Sequence, residues 1–205
     1  RADASARALR VAAKTPSATC RMTAESCSRL AVEAAPPPGS DSFERVANPS
    51  LEEGKRAPAF TLPSTEGGSF RLTEHRGRWV VAYFYPKDLT PGCTTEAENF
   101  RDALASFEDL GALVVGISPD PLERHERFVE KHDLNFPLLV DRDAKVASKY
   151  GVWRTKKNYG REYLGIVRST FLIDPSGKVA RLWDNIRVKG HVEKVLAALE
   201  EELEA

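Results

Sequence analysis

Cysteine is scarce: the 205 residues hold three, Cys20, Cys27 and Cys93. An odd number at wide, irregular spacing makes neither a disulfide framework nor a zinc site. It suits a reducing compartment in which one thiol does chemistry. The chain has no Cys-x-x-Cys pair, which counts against a dithiol oxidoreductase of the thioredoxin kind. It also lacks any apolar run approaching the roughly 20 residues that a membrane helix needs. Neither sign of charge is in surplus, with 30 Lys and Arg against 30 Asp and Glu, so bulk charge offers nothing to nucleic acid or to a membrane surface. No internal repeat is apparent.

What is present, 41% hydrophobic and 29% charged residues, suits one soluble domain with some extra length. The extra length is residues 1–50. They are rich in Ala, Ser and Arg, and a Pro36-Pro-Pro-Gly-Ser40 break lies near their end. Through Ser40, six basic residues face three acidic ones. An acid-poor leader of this composition resembles an organellar transit peptide, and a plain disordered tail is the other reading. A plastid is the compartment expected, with mitochondrion or cytoplasm as alternatives. The chain does not begin with Met, so it is read as a possible fragment. Cys20 and Cys27 fall in this segment, where nothing holds a thiol in a tuned site.

Residues 51–205 read as one α/β domain. Ala57–Leu62 and Ser69–Leu72 are short strands around a Glu66-Gly67-Gly68 turn, hence an N-terminal β-hairpin. Trp79–Tyr85 is a continuous apolar run, expected to be a central strand. From Cys93, apolar residues at Ala97, Phe100, Leu104, Phe107 and Leu110 trace one helix face, and Gly111 closes it. Strands are expected at 112–117 and 136–140. Helices are expected from Asp120-Pro121 to about His132, with Asp as cap and Pro first, and at 144–150. A loop over 154–162 precedes one strand over 166–173, a hairpin turn at 174–177 and a strand at 178–183. A last amphipathic helix covers 188–205. This order predicts a three-layer fold, with a central mixed sheet and helices on both faces.

Chemistry concentrates in Pro86-Lys-Asp-Leu-Thr90-Pro-Gly-Cys93-Thr-Thr-Glu96. Here a strand hands over to a helix. The exposed N–H groups and positive dipole end of a helix start bias a cysteine towards its reactive thiolate. A buried, inert cysteine is the plain alternative. Thr90 could hydrogen-bond the thiolate or a bound substrate, or simply cap the helix. Pro86 could cover the thiol or simply turn the chain. Arg168, within Ile166-Val-Arg-Ser-Thr-Phe-Leu-Ile173, is either a paired cation able to hold a thiolate charged or an edge residue facing solvent. Glu96 is its natural ion-pair partner, or merely an acid in the first helical turn. His75, His125, His132 and His191 read as polar or surface residues, so a Cys–His hydrolase dyad is disfavoured. Asp141 and Asp143 read as solvated loop acids, too close in sequence for a calcium loop. Trp153 and Trp183 read as core or pocket-wall aromatics.

Tyr83-Phe-Tyr-Pro86, Thr90-Pro-Gly-Cys-Thr94 and Asn99-Phe-Arg-Asp102 resemble the peroxiredoxins, in particular the bacterioferritin comigratory protein or peroxiredoxin Q subfamily. Gly116-Ile-Ser118, Phe136-Pro-Leu-Leu139, Tyr150-Gly-Val-Trp153, Arg168 before Phe171-Leu-Ile-Asp174, and Gly190-His191 extend the resemblance over about residues 52–203. It implies a thioredoxin-like fold and reduction of hydrogen peroxide and organic hydroperoxides without metal or flavin. It also implies roles: Cys93 as the peroxidatic nucleophile, Thr90 and Arg168 orienting the peroxide, and Pro86 shielding the thiolate. Many members of the subfamily carry a resolving cysteine five residues further along, where this chain has Glu98. The expectation is therefore a one-cysteine peroxidase, monomeric or weakly dimeric. Its sulfenate would be reduced by thioredoxin, glutaredoxin or glutathione, or less readily by Cys20 or Cys27. A redox-sensing or chaperone-like protein that signals through Cys93, and a non-catalytic binding module of the same fold, are the alternatives.

Overall fold

The computed structural model describes residues 51–158 and 161–204. The expectations for residues 1–50, including Cys20 and Cys27, lie outside the described residues. Among the described residues no helix is long and apolar enough to cross a membrane.

The fold is organised around β3 (Trp79–Phe84), whose residues are almost all buried. Alternate side chains serve opposite faces: Val80, Ala82 and Phe84 enter one core, Val81 and Tyr83 the other. A strand apolar on both sides must lie in the middle of a covered sheet. It does. Parallel β4 (Ala112–Ser118) and then β5 (Leu138–Val140) flank it on one side, and antiparallel β8 (Ser169–Ile173) and then β9 (Val179–Trp183) on the other. Gly116 on β4 is required by close approach, because a Cβ there would lie 2.7 Å from the Tyr83 hydroxyl.

One face is covered by α1 (Pro91–Asp109), α2 (Leu122–His132) and α4 (His191–Glu204). Phe100 and Phe107 on α1, Phe128 on α2, and Val192, Val195 and Leu199 on α4 share one buried cluster with Val81 and Tyr83. The other face is closed by α3 (Lys145–Lys149) and by the hairpin of β1 (Thr61–Pro63) and β2 (Ser69–Arg71), paired Leu62 to Phe70. The expected three layers, mixed sheet and N-terminal hairpin are all present.

Four local expectations are corrected. Residues 154–162 are not a loop. β6 (Trp153–Asn158) and β7 (Arg161–Ile166) form an antiparallel ribbon outside the main sheet. Among its described side chains only Ile166 is fully buried, and such a ribbon has no need of apolar alternation, so its charged sequence reads as loop. The single strand expected over 166–173 is broken. β7 ends at Ile166, β8 starts at Ser169, and Val167 and Arg168 cross between them, fixed by Val167 N–H to Val152 O (2.8 Å) and Ile186 N–H to Arg168 O (3.1 Å). α2 starts one residue late, with Pro121 at its cap, because the Asp120 carboxylate is occupied elsewhere. Asp141 is buried rather than solvated, since its two oxygens accept the N–H groups of Val146 (3.2 Å) and Ala147 (2.7 Å) in the first turn of α3. Asp143 is solvated as expected, and its carboxyl lies below the usual range through Lys145.

Candidate active site

Pro91 opens α1 with its φ preset and no N–H to leave unpaired. Cys93 is thus the third helical residue. The first main-chain bond of the helix runs from Thr94 N–H to Thr90 O (2.9 Å), so the N–H groups of Gly92 and Cys93 precede it. The helix dipole adds a stabilisation of about 0.3–2 kcal/mol to an anion at such a place. The thiol itself is 1% exposed, set between α1 and the sheet.

The break between β7 and β8 delivers Arg168 to this thiol. Nη2 donates to Cys93 Sγ at 3.3 Å, and Nη1 donates to Glu96 Oε2. The guanidinium passes beside Gly92, where a Cβ would lie 3.4 Å from Nη2. Glu96 is wholly buried and Arg168 only partly. Burial pushes the Glu96 carboxyl up from 4.5 to about 7, against the pull of Arg168. Glu96 Oε1 has no partner. Arg168 is held above its ordinary value: burial opposes the charge, and Glu96 and Cys93 outweigh burial. The reading of Arg168 and Glu96 as a pair beside the thiol is therefore the one observed, and the solvent-facing alternative is not.

Thr90 stands at the cap position of α1, but its hydroxyl donates to Lys87 O at 3.0 Å and makes no capping bond. Pro86 is half-buried, one residue past the buried Tyr85 at the end of β3. Glu98 lies one turn beyond Cys93 and pairs with His132 Nδ1 at 3.1 Å, joining α1 to α2. Cys93 is the only cysteine among the described residues, so none is available there to bond with it.

Sequence reasoning missed three features. Lys156, in the stretch read as loop, donates to Ile166 O at 2.9 Å, two residues before Arg168. It is held below its ordinary value by burial first and by the Arg168 charge second. His125 and His191 are not surface residues. His191 is buried against Thr170 Oγ1 at 2.8 Å, and burial lowers it from 6.5 to about 4. His125 is buried with Asp88 at 2.7 Å. For the two histidines the available signal was helical spacing, since His125 and Phe128 share a face of α2. No His/Cys/Asp/Glu group able to hold a metal ion occurs among the described residues.

A family model described as the AhpC/TSA family matches residues 54–182. Peroxiredoxin Bcp of Bacillus subtilis is 48% identical over 152 residues, which is 74% of this chain and 97% of the relative. Among solved structures, peroxiredoxin Q of Xanthomonas campestris is 42% identical with a TM-score of 0.67, over 69% of this chain and 90% of that one. A structure of the Xanthomonas campestris bacterioferritin comigratory protein, studied for its alkyl peroxide reduction activity, is 39% identical with a TM-score of 0.70, over 74% of this chain and 99% of that one.

Proposed function

The chain belongs to the AhpC/TSA family and is a thiol-dependent peroxidase, and on that premise we propose that Cys93 is its peroxidatic nucleophile, acting on hydrogen peroxide and organic hydroperoxides. The observation that carries this is the Arg168 guanidinium, 3.3 Å from Cys93 Sγ at the start of a helix. A cation at that distance favours the thiolate over the thiol.

Attack is in line. The thiolate electron pair forms an S–O bond with one peroxide oxygen, the O–O bond breaks, and the other oxygen leaves with its electron pair and takes a proton as water or alcohol. Cys93 is left as sulfenic acid. Charge passes from sulfur to the departing oxygen during the step, and a fixed guanidinium stabilises it at both ends. Glu96 holds the guanidinium in place. Thr90 acts here by turning its hydroxyl from the Lys87 carbonyl to the peroxide, and Pro86 limits water at the sulfur.

The second half of the cycle uses an external thiol, because position 98 carries Glu in place of a resolving cysteine. Thioredoxin, glutaredoxin and glutathione fit that role, and the protein works as a monomer or weak dimer. The composition of residues 1–50 supports delivery to a plastid, which a reporter fused to those residues would check.

Stopped-flow peroxide consumption by wild type, Cys93→Ser and Arg168→Ala tests the chemistry. Wild type should react far faster than free cysteine, and Cys93→Ser not at all. A wild-type rate equal to that of free cysteine ends this reading. Mass spectrometry after one equivalent of peroxide should find sulfenate or its glutathione adduct. A disulfide from Cys93 to Cys20 or Cys27 would refute the one-cysteine cycle.

A further inference from the structure

Asp88 lies in the loop between β3 and α1, flanked by Pro86 and Thr90, and it is completely buried. Each of its polar groups is engaged. Oδ1 accepts from the Tyr85 hydroxyl (2.7 Å), and Oδ2 meets His125 Nδ1 (2.7 Å). Its N–H donates to Asp120 Oδ2 (2.6 Å), and its carbonyl accepts from Arg124 Nη2 (3.1 Å). Asp120 and Arg124 also pair with one another, at 3.5 Å. The carboxylate oxygen can only accept, which assigns a ring proton to His125 Nδ1, donated to Asp88, and His125 Nε2 is buried without a partner. The residue that follows, Leu89, has φ 60°, a left-handed backbone that a leucine does not choose unaided.

α2 and its approach thus grip one residue of the loop at three points, and the end of β3 at a fourth. The loop's other internal tie, Thr90 hydroxyl to Lys87 carbonyl, is local and closes nothing against the rest of the fold. From this we infer that Asp88 is a positioning residue for Cys93: its attachment to α2 through His125, and to the end of β3 through Tyr85, holds the strained loop that leads into α1, and with it the place of the buried thiol in the first turn of that helix. The inference rests on the peroxidase reading for its catalytic consequence, but not for its structural one.

The two are separated by measuring two reactions of the same sulfur. In Asp88→Ala the loop loses its anchor. The peroxide rate constant should fall roughly 10- to 100-fold, as expected when a reacting geometry loosens. Alkylation of the buried thiol by iodoacetamide should instead rise several-fold. Asp88→Asn keeps an acceptor for Tyr85 but sets an amide N–H2 against the Nδ1 proton of His125, and should recover only part of the loss. Tyr85→Phe removes a single hydroxyl, keeps the ring, and should move both rates the same way by less, so the test stands even if Asp88→Ala does not fold. Destabilisation alone would expose the sulfur only in proportion to the unfolded fraction, so the gain in alkylation must exceed what the loss of stability measured in urea predicts; a gain no larger than that overturns the inference, as does an unchanged alkylation rate in Tyr85→Phe and Asp88→Ala. A wild type that ignores peroxide while the alkylation rates behave as stated would sink the peroxidase reading alone.

Discussion

Two polar clusters hang from the end of β3, and they are completed to different degrees. Around Asp88, both carboxylate oxygens, the N–H and the carbonyl are all engaged, and the atoms left without a hydrogen bond, His125 Nε2 and Arg124 Nε, lie on the partners rather than on Asp88 itself. Around Cys93, valences stay open: Glu96 Oε1 has no partner, Arg168 is part-exposed, and the sulfur receives one arm of a guanidinium that is shared with a carboxyl. The first arrangement spends its hydrogen bonds on shape. The second leaves polar capacity unspent, where a reacting oxygen can use it. If this division is right, variants of the two clusters should fail in different measurements.

The largest effect should fall on stability at the closed cluster. Removing His125 as His125→Ala leaves the Asp88 carboxyl buried without its ring partner, a change that costs about 3–5 kcal/mol when a buried pair is broken from one side. Urea denaturation gives the value. A loss below about 1 kcal/mol would mean that the cluster relaxes as the active site does, and the comparison would fail. The open cluster should behave in the reverse way. Arg168→Ala should lower the peroxide rate constant roughly 10²- to 10³-fold, the scale of one lost oxyanion donor, while costing little stability. Stability is spared because the Glu96 carboxyl left behind is already raised to about 7 and can neutralise itself by binding a proton. Arg168→Lys, a point charge that cannot reach sulfur and carboxyl together, should recover only a fraction of the rate.

The same raised value gives a stability effect of defined sign. The unfolded carboxyl titrates near 4.5 and the folded one near 7, so the native state binds more protons between those pH values. The group's contribution is fully present below 4.5 and is lost as pH climbs through 7. Relative to Glu96→Gln, wild type should therefore lose about 3 kcal/mol over that interval. His191 runs opposite. It is lowered from 6.5 to about 4, so its contribution is present above 6.5 and is lost on acidification towards 4. Comparing wild type with Glu96→Gln at several pH values isolates the first group. Parallel curves for the two proteins would place Glu96 in a wetter, better-paired site than the one described.

How far each cluster could be read in the sequence follows from what its signal was. Cys93 and Arg168 announced themselves by type and setting: a lone thiol after Thr-Pro-Gly, and a cation inside an apolar run. The run itself misled, since Ile166–Ile173 looks continuous, and the chain breaks there because Arg168 has to leave the sheet to reach α1. His125 gave only the weaker sign of sharing a helix face with Phe128. It sits in Leu122-Glu-Arg-His-Glu-Arg, a charged stretch, and what buries it is a carboxylate 37 residues away that only the β4 to α2 crossover brings close. Lys156 was hidden for a related reason: a two-stranded ribbon outside the main sheet carries charge on its strands, and no pattern distinguishes it from loop. Pairings local to a helix or strand were legible, and those made by topology were not.

The smallest effect should come from Glu98, which separates the site from its frame. The residue stands five positions after Cys93 and faces His132 across the α1 and α2 seam, and Arg101 nearby donates to the His132 carbonyl at 2.7 Å. Its side chain is 38% exposed, so water screens the pair, and its removal as Glu98→Ala should cost no more than about 1 kcal/mol, or about 2–4 °C in Tm. The peroxide rate constant should not move, because the bond lies a helical turn beyond the sulfur and touches neither Arg168 nor the Asp88 loop. A rate change in Glu98→Ala larger than the change in Tm explains would show that α1 is held in register for catalysis by α2 through this second contact as well. The open and closed clusters would then be parts of one device rather than two.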